Sequence, residues 1–181
     1  MIYVFLSDGF EEIEALAPVD ILRRGGLNVK TVGVGGKNAV GSHKIPVVCD
    51  ITAQEATTDG LEGIILPGGM PGTLNLEKSE CVQRFIDFAD KNGLYIGAIC
   101  AAPSILGHKG LLKGKKATCF PGFEKDLYGA EFADLPVVTD GKITTACGAG
   151  AAFDFGFKLL SGLTGDKECA DTLKKSMKYS K

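Results

Sequence analysis

Short, nearly uninterrupted apolar runs alternate along the chain with stretches whose apolar residues recur every three or four positions. Ile2–Leu6 is the first such run, and Val29–Val34, Gly63–Leu66 and Tyr95–Ile99 follow as further buried strands. Between them, Glu12–Arg24 reads as an amphipathic helix closed by Gly25-Gly26, and Cys81–Lys91 carries the helical period through Val82, Phe85, Ile86 and Ala89. The spacing predicts a helix over Ala101–His108, a short strand at 115–119, and a strand pair at 137–140 and 143–146 joined through Asp140-Gly141. Ala151–Leu163 and Lys167–Lys178 then read as two closing helices.

Continuously apolar strands alternating with helices point to an α/β fold: a doubly wound, mostly parallel sheet with helices on both faces. No repeat, low-complexity tract or Ser/Pro-rich linker divides the chain, so residues 1–181 read as one domain. Ligands of such sheets lie beyond the carboxyl ends of the strands. That singles out Asp8–Glu14, Gly35–Gly36, Pro67–Gly72, Cys100 and Gly148–Gly150.

Composition narrows the function classes. The 20 basic and 22 acidic residues leave a net charge of -2, so no global field draws the chain to nucleic acid or an anionic membrane. No apolar run approaches the ~20 residues needed to span a bilayer. Lys174, Lys175, Lys178 and Lys181 read as a solvated helix end. The strand-like start directly after Met1 lacks the features of an export signal, which predicts a cytoplasmic setting. There, the six cysteines at 49, 81, 100, 119, 147 and 169 are expected to stay reduced, since no C-x-x-C occurs and the chain needs no disulfide scaffold. With two histidines, His43 and His108, and no paired-ligand spacing, no metal site is expected. Two nucleotide motifs fail. Gly33-Val34-Gly35 lacks the third glycine of a dinucleotide loop, and Gly114-Lys115 is followed by Lys116 where a phosphate loop needs Ser or Thr.

The segment Ala98-Ile99-Cys100-Ala101-Ala102-Pro103 is the informative one. A buried strand ends at Cys100 between small residues, which permits a sharp strand-to-helix turn presenting the side chain above the sheet. A thiol at a helix start is expected to be acidic, and Cys100 alone of the six occupies such a position. Glu11-Glu12-Ile13-Glu14 lies past the first strand, with residues 11 and 14 on one helical face and Ile13 expected to turn inward. A glutamate there could reach the sulfur across the same sheet edge.

These segments resemble the DJ-1/ThiJ/PfpI superfamily, and more closely its DJ-1/ThiJ branch. The likeness runs through Glu11–Glu14 with Pro18-Val19-Asp20 and Arg23–Gly26, then Leu66-Pro67-Gly68-Gly69, the elbow, and Gly148-Ala149-Gly150. It implies a flavodoxin-like fold, a homodimer, and a reactive cysteine at Cys100 hydrogen-bonded by Glu14. Backbone N–H groups of Gly69 and Ala101 would form an oxyanion pocket. Where many members carry a histidine near the cysteine, this chain has Ala101 and Phe120. His108, at a helix end, reads as structural; His43 shows no partner; Cys119 is either a second thiol of the pocket or buried filler. Two functions follow. One is a cofactor-independent, stress-response enzyme of the glyoxalase or deglycase type acting on small aldehydes or dicarbonyls. The other is a non-catalytic redox sensor or chaperone-like protein working through a Cys100 sulfinate. A protease of the PfpI type needs a histidine beside the thiol and is disfavoured.

Overall fold

The computed structural model describes residues 1–179. It contains, in chain order, β1 (Ile2–Leu6), α1 (Glu12–Arg24), β2 (Val29–Gly33), β3 (Asn38–Val40), β4 (Pro46–Val48), β5 (Ile51–Thr52), β6 (Gly63–Leu66) and α2 (Gly72–Lys78). After these come α3 (Glu80–Lys91), β7 (Tyr95–Ile99), α4 (Pro103–His108), β8 (Lys116–Ala117), β9 (Glu131–Phe132), β10 (Val137–Asp140), β11 (Ile143–Ala146), α5 (Ala152–Thr164) and α6 (Lys167–Ser176).

Seven strands form one sheet in the order β10-β11-β7-β6-β1-β2-β5. Every neighbouring pair is parallel except the β10–β11 hairpin, whose Asp140↔Ile143 register leaves Gly141-Lys142 as a two-residue loop. Both faces are covered because the strands are apolar on both sides. Ile2, Val4 and Leu6 pack with Ile65 and Ile99 against residues of α1 and α5, whereas Tyr3, Phe5, Ile64, Leu66, Ile96 and Ala98 pack against α3 and α4. The doubly wound α/β expectation therefore holds. The chain leaves β1 toward β2 on one side and returns to β6 on the other, so the strand order reverses at β1, where a crevice opens at the carboxyl edge.

Three local expectations change. Regular helix at the elbow begins at Pro103 rather than Ala101, with residues 101 and 102 in a turn. The β3–β4 hairpin, β5 and α2 carry no clear periodic signal. And Ile13 is 51% exposed, not inward, because α1 presents Ala15, Pro18, Val19 and Leu22 to the core, a face from which position 13 is rotated away. In the basic C-terminal stretch, α6 ends at Ser176, and Lys181 lies outside the described residues.

Candidate active site

Three loops meet at the carboxyl edge beside the strand-order reversal. The loop after β1 enters α1, and its first helical turn is tied to the loop after β6: the Glu11 N–H donates to the Gly68 carbonyl at 2.9 Å, and the Gly68 N–H donates to Glu14 Oε2 at 3.0 Å. This pair of bonds aims Glu14 under the Pro67–Gly69 turn. There is room only because residue 68 is glycine. A Cβ there would lie 2.6 Å from Glu14 Oε2 and 2.7 Å from the Cys100 Cβ.

Cys100 follows β7 with φ at +65°, the left-handed region that side chains other than glycine avoid. Its own backbone is fixed on both sides, the N–H donating to Ala146 O and the carbonyl accepting from the Phe120 N–H, each at 2.8 Å. The sulfur then receives the Glu14 carboxyl and the backbone N–H groups of Ala101 and Gly69 as hydrogen-bond partners. Gly69 can serve because its carbonyl points away, accepting from the Thr73 N–H at 2.9 Å and Thr73 Oγ1 at 3.0 Å. Its φ of +90° and a Cβ position 2.4 Å from Glu11 N leave no alternative to glycine.

All four residues singled out for the site, Cys100, Glu14, Gly69 and Ala101, thus converge. They line a cavity of about 300 Å³ together with Glu11, Met70, Phe120, Phe123 and Ala149. Gly35–Gly36 are not among its walls. Met70 and Ala149 fall in the Pro67–Gly72 and Gly148–Gly150 segments singled out at the strands' carboxyl ends, and Glu11 shares a helical face with Glu14; Phe123 comes from a turn, where periodicity carries no information.

Burial drives the electrostatics. Glu14 is 1% exposed, and its burial outweighs the hydrogen bonds from Cys100 and Gly68, raising it to about 7 with a further push from Glu11. The Cys100 thiol is pushed up to about 12, first by burial and then by the Glu14 carboxylate, against the downward pull of the Ala101 and Gly69 N–H groups. This reverses the expectation of a strongly acidic thiol. The helix beyond the elbow is six residues long and starts three positions after the sulfur, so its dipole does not offset burial beside an anion. At the Cys100–Glu14 pair, burial and mutual repulsion disfavour two negative charges side by side.

The remaining candidates resolve as follows. Cys119 is buried and lies outside the cavity wall, as filler. His108 joins three elements, with Nδ1 2.5 Å from Glu77 Oε1 and Nε2 3.4 Å from Asp126 Oδ1, which fits a structural role. His43 does have a partner: its backbone N–H and Nδ1 reach Glu12 at 2.8 and 2.9 Å. Donor atoms of Glu11, Glu12 and His43 lie within 4.8 Å of one another, a convergence that linear spacing does not show, and hydrogen bonds among them and Ser42 satisfy the group.

Comparison with known proteins identifies the family and the fold. A family model described as the DJ-1/PfpI family matches residues 1–162. The chain is similar to Protein dj-1beta of Drosophila melanogaster, at 32% identity over 94% of this chain and 93% of that protein. It is also similar to Glutathione-independent glyoxalase DJR-1.2 of Caenorhabditis elegans, at 30% identity over 91% and 88% of the two chains. Among solved structures, a DJ-1 superfamily protein from Salmonella typhimurium superposes with a TM-score of 0.94 at 34% identity, covering 99% of this chain and 98% of the other.

Proposed function

Because this chain belongs to the DJ-1/PfpI family, we propose that it is a cofactor-independent enzyme of the glyoxalase or deglycase type, acting on small dicarbonyls in a cellular stress response. The observation that carries the reading is the hydrogen-bonded Cys100–Glu14 pair, in which the carboxyl is poised near neutrality. A base of that strength suits proton transfer at physiological pH. The absence of a histidine from the pocket then matters less, because Glu14 itself serves as the base.

With methylglyoxal, the Cys100 sulfur bonds to the aldehyde carbon while its proton passes to the Glu14 carboxylate, which delivers it to the aldehyde oxygen; the hemithioacetal hydroxyl so formed lies beside the Gly69 and Ala101 N–H groups. The regenerated Glu14 carboxylate next removes the hydrogen on that carbon and returns a proton to the neighbouring carbon, while the hydroxyl proton moves to the neighbouring oxygen, converting the hemithioacetal to a thioester. Water cleaves the thioester, releasing lactate and restoring the thiol. Purified protein supplied with methylglyoxal should produce lactate steadily, and Cys100→Ser should not. A parent protein that forms no lactate defeats the reading.

The sulfinate reading draws support from the same two N–H groups, which could receive oxygens on sulfur. A thiol pushed upward by burial and Glu14 needs a base to react, and Glu14 can take its proton as a carbonyl is attacked, which is the step the enzyme reading uses. A homodimer is part of the proposal. Ile13, Ile45 and Val48 are exposed apolar side chains on or near the β3–β4 hairpin and α1 start, linked through Glu12, which accepts from the Ile45 N–H at 3.5 Å. Ile13→Glu is expected to shift light-scattering mass from dimer to monomer. The six cysteines are free, as a reducing cytoplasm would keep them, and among the described residues no helix is long and apolar enough to cross a membrane.

A further inference from the structure

We infer that the Cys100 pocket selects uncharged carbonyl compounds bearing an apolar, preferably aromatic, substituent beside the reacting aldehyde, and turns away carbonyl acids. The inference rests on Cys100 being the nucleophile and extends that reading to a substrate class.

The cavity has two kinds of wall. One is apolar: Met70, Phe120, Phe123 and Ala149 face the space into which the sulfur opens. Met70 and Phe120 are 44% and 46% exposed, large apolar groups left partly in water around one opening. Such grouping marks a surface that a ligand covers. Phe120 is also held in place. Its N–H is bonded to the Cys100 carbonyl, its own carbonyl accepts from the Phe123 N–H at 3.1 Å, and its ring lies against Gly148, where a Cβ would stand 3.2 Å from Cδ2. The ring is therefore a positioned wall, and an aryl or alkyl group on a carbonyl bonded to the sulfur would lie beside it.

The other wall is acidic. Glu11 and Glu14 are the charged residues lining the cavity, and no lysine, arginine or histidine lines it among the described residues. His43, which reaches Glu11, is exposed and has its Nδ1 engaged by Glu12 at 2.9 Å, closer than to Glu11 at 3.4 Å. A substrate carboxylate would add a negative charge beside two acids and find no cationic partner. A single small apolar group in such a pocket changes specificity by roughly 10-fold or more, which sets the scale to expect.

The test separates selectivity from turnover. Cys100 of the intact protein is alkylated with iodoacetate, iodoacetamide or iodoacetanilide, each rate divided by that of the same reagent with N-acetylcysteine, and the site is read by peptide mass. In every case the sulfur–carbon bond forms as iodide leaves and the thiol proton is lost to the buffer. Iodoacetate should lag iodoacetamide by about 10-fold or more, and iodoacetanilide should lead it by several-fold. Phe120→Ser should erase the anilide advantage and keep the charge discrimination, Phe120→Leu should retain part of that advantage, and Glu11→Gln should narrow the charge discrimination alone. Equal normalised rates for the three reagents overturn the inference. Turnover of phenylglyoxal, methylglyoxal and 4-carboxyphenylglyoxal, a dicarbonyl that carries the negative charge, is measured in parallel. Selective alkylation without any turnover removes the glyoxalase reading and leaves the selectivity standing; equal kcat/KM for all three removes the selectivity and leaves the glyoxalase reading.

Discussion

Glu12 and Glu14 stand two residues apart in the first turn of α1 and are both buried, yet the protein treats them in opposite ways. Glu12 faces the 42–45 segment. Burial alone would raise it, but the His43 side chain and the backbone N–H groups of Glu12, His43 and Ile45 outweigh that and hold it down to about 2. Glu14 faces the sulfur, receives one backbone N–H, and rises to about 7. The difference lies in depth as well as in the number of donors: Glu12 lies beside the exposed His43, whereas Glu14 is enclosed at the sheet edge and is also pushed by Glu11. A buried carboxylate with a full set of donors is a fixed anion that pins a loop. One with too few donors keeps a proton within reach of neutral pH, and that makes it useful for chemistry.

The sharpest way to break this contrast is to neutralise each acid in turn. Glu14→Gln should lower dicarbonyl turnover by about 10³-fold with little change in fold, as removal of a general base does. Glu12→Gln should retain most of the turnover and instead destabilise the protein by about 2 kcal/mol in denaturant titrations, through weakened bonds to a charged acceptor. Similar losses of turnover in both variants would erase the distinction.

Stability against pH gives a second separation. The folded Glu14 titrates above its ordinary value of 4.5, so its contribution is whole below about 4.5 and is lost as pH rises through 7. For Glu12 the folded value is depressed, so its contribution is whole above 4.5 and is lost as pH falls toward 2. Urea titrations across pH 5 to 8 should show a decline of about 3 kcal/mol that vanishes in Glu14→Gln and persists in Glu12→Gln. Turnover should rise over the same interval as the base ionises.

A third and smaller effect comes from Gly68→Ala. The added methyl would press on Glu14 Oε2 at 2.6 Å and leave the 42–45 segment untouched. Displacing the base should lower turnover by roughly 10²-fold while the acid-side stability limb set by Glu12 stays in place.

Much of this could be read from residue order. Apolar runs marked β1, β6, β7 and the β10–β11 hairpin because buried strands need few polar residues, and the same logic placed Glu14 and Cys100 at one sheet edge. The illegible parts are held by tertiary contacts. α2 begins Gly72-Thr73 and carries Asn75, weak helix formers, and is secured by the Thr73 N–H on Gly69 O and Asn75 Nδ2 on Asp8 O. The donors to Glu12 lie some 30 residues away along the chain, so its character was invisible beside Glu14. The thiol's upward shift likewise depends on burial, which a strand-to-turn pattern does not report.

The left-handed backbone at Cys100 carries a consequence for how this protein responds to selection. A side chain at φ +65° costs on the order of 1–3 kcal/mol that glycine would not incur. Position 100 is therefore a place where endurance and chemistry pull apart. A population of variants sorted for heat tolerance alone would drift toward glycine or asparagine there and emerge sturdier and without the thiol, while one sorted for chemistry at the sulfur would keep the cysteine and accumulate its compensating gains elsewhere in the chain.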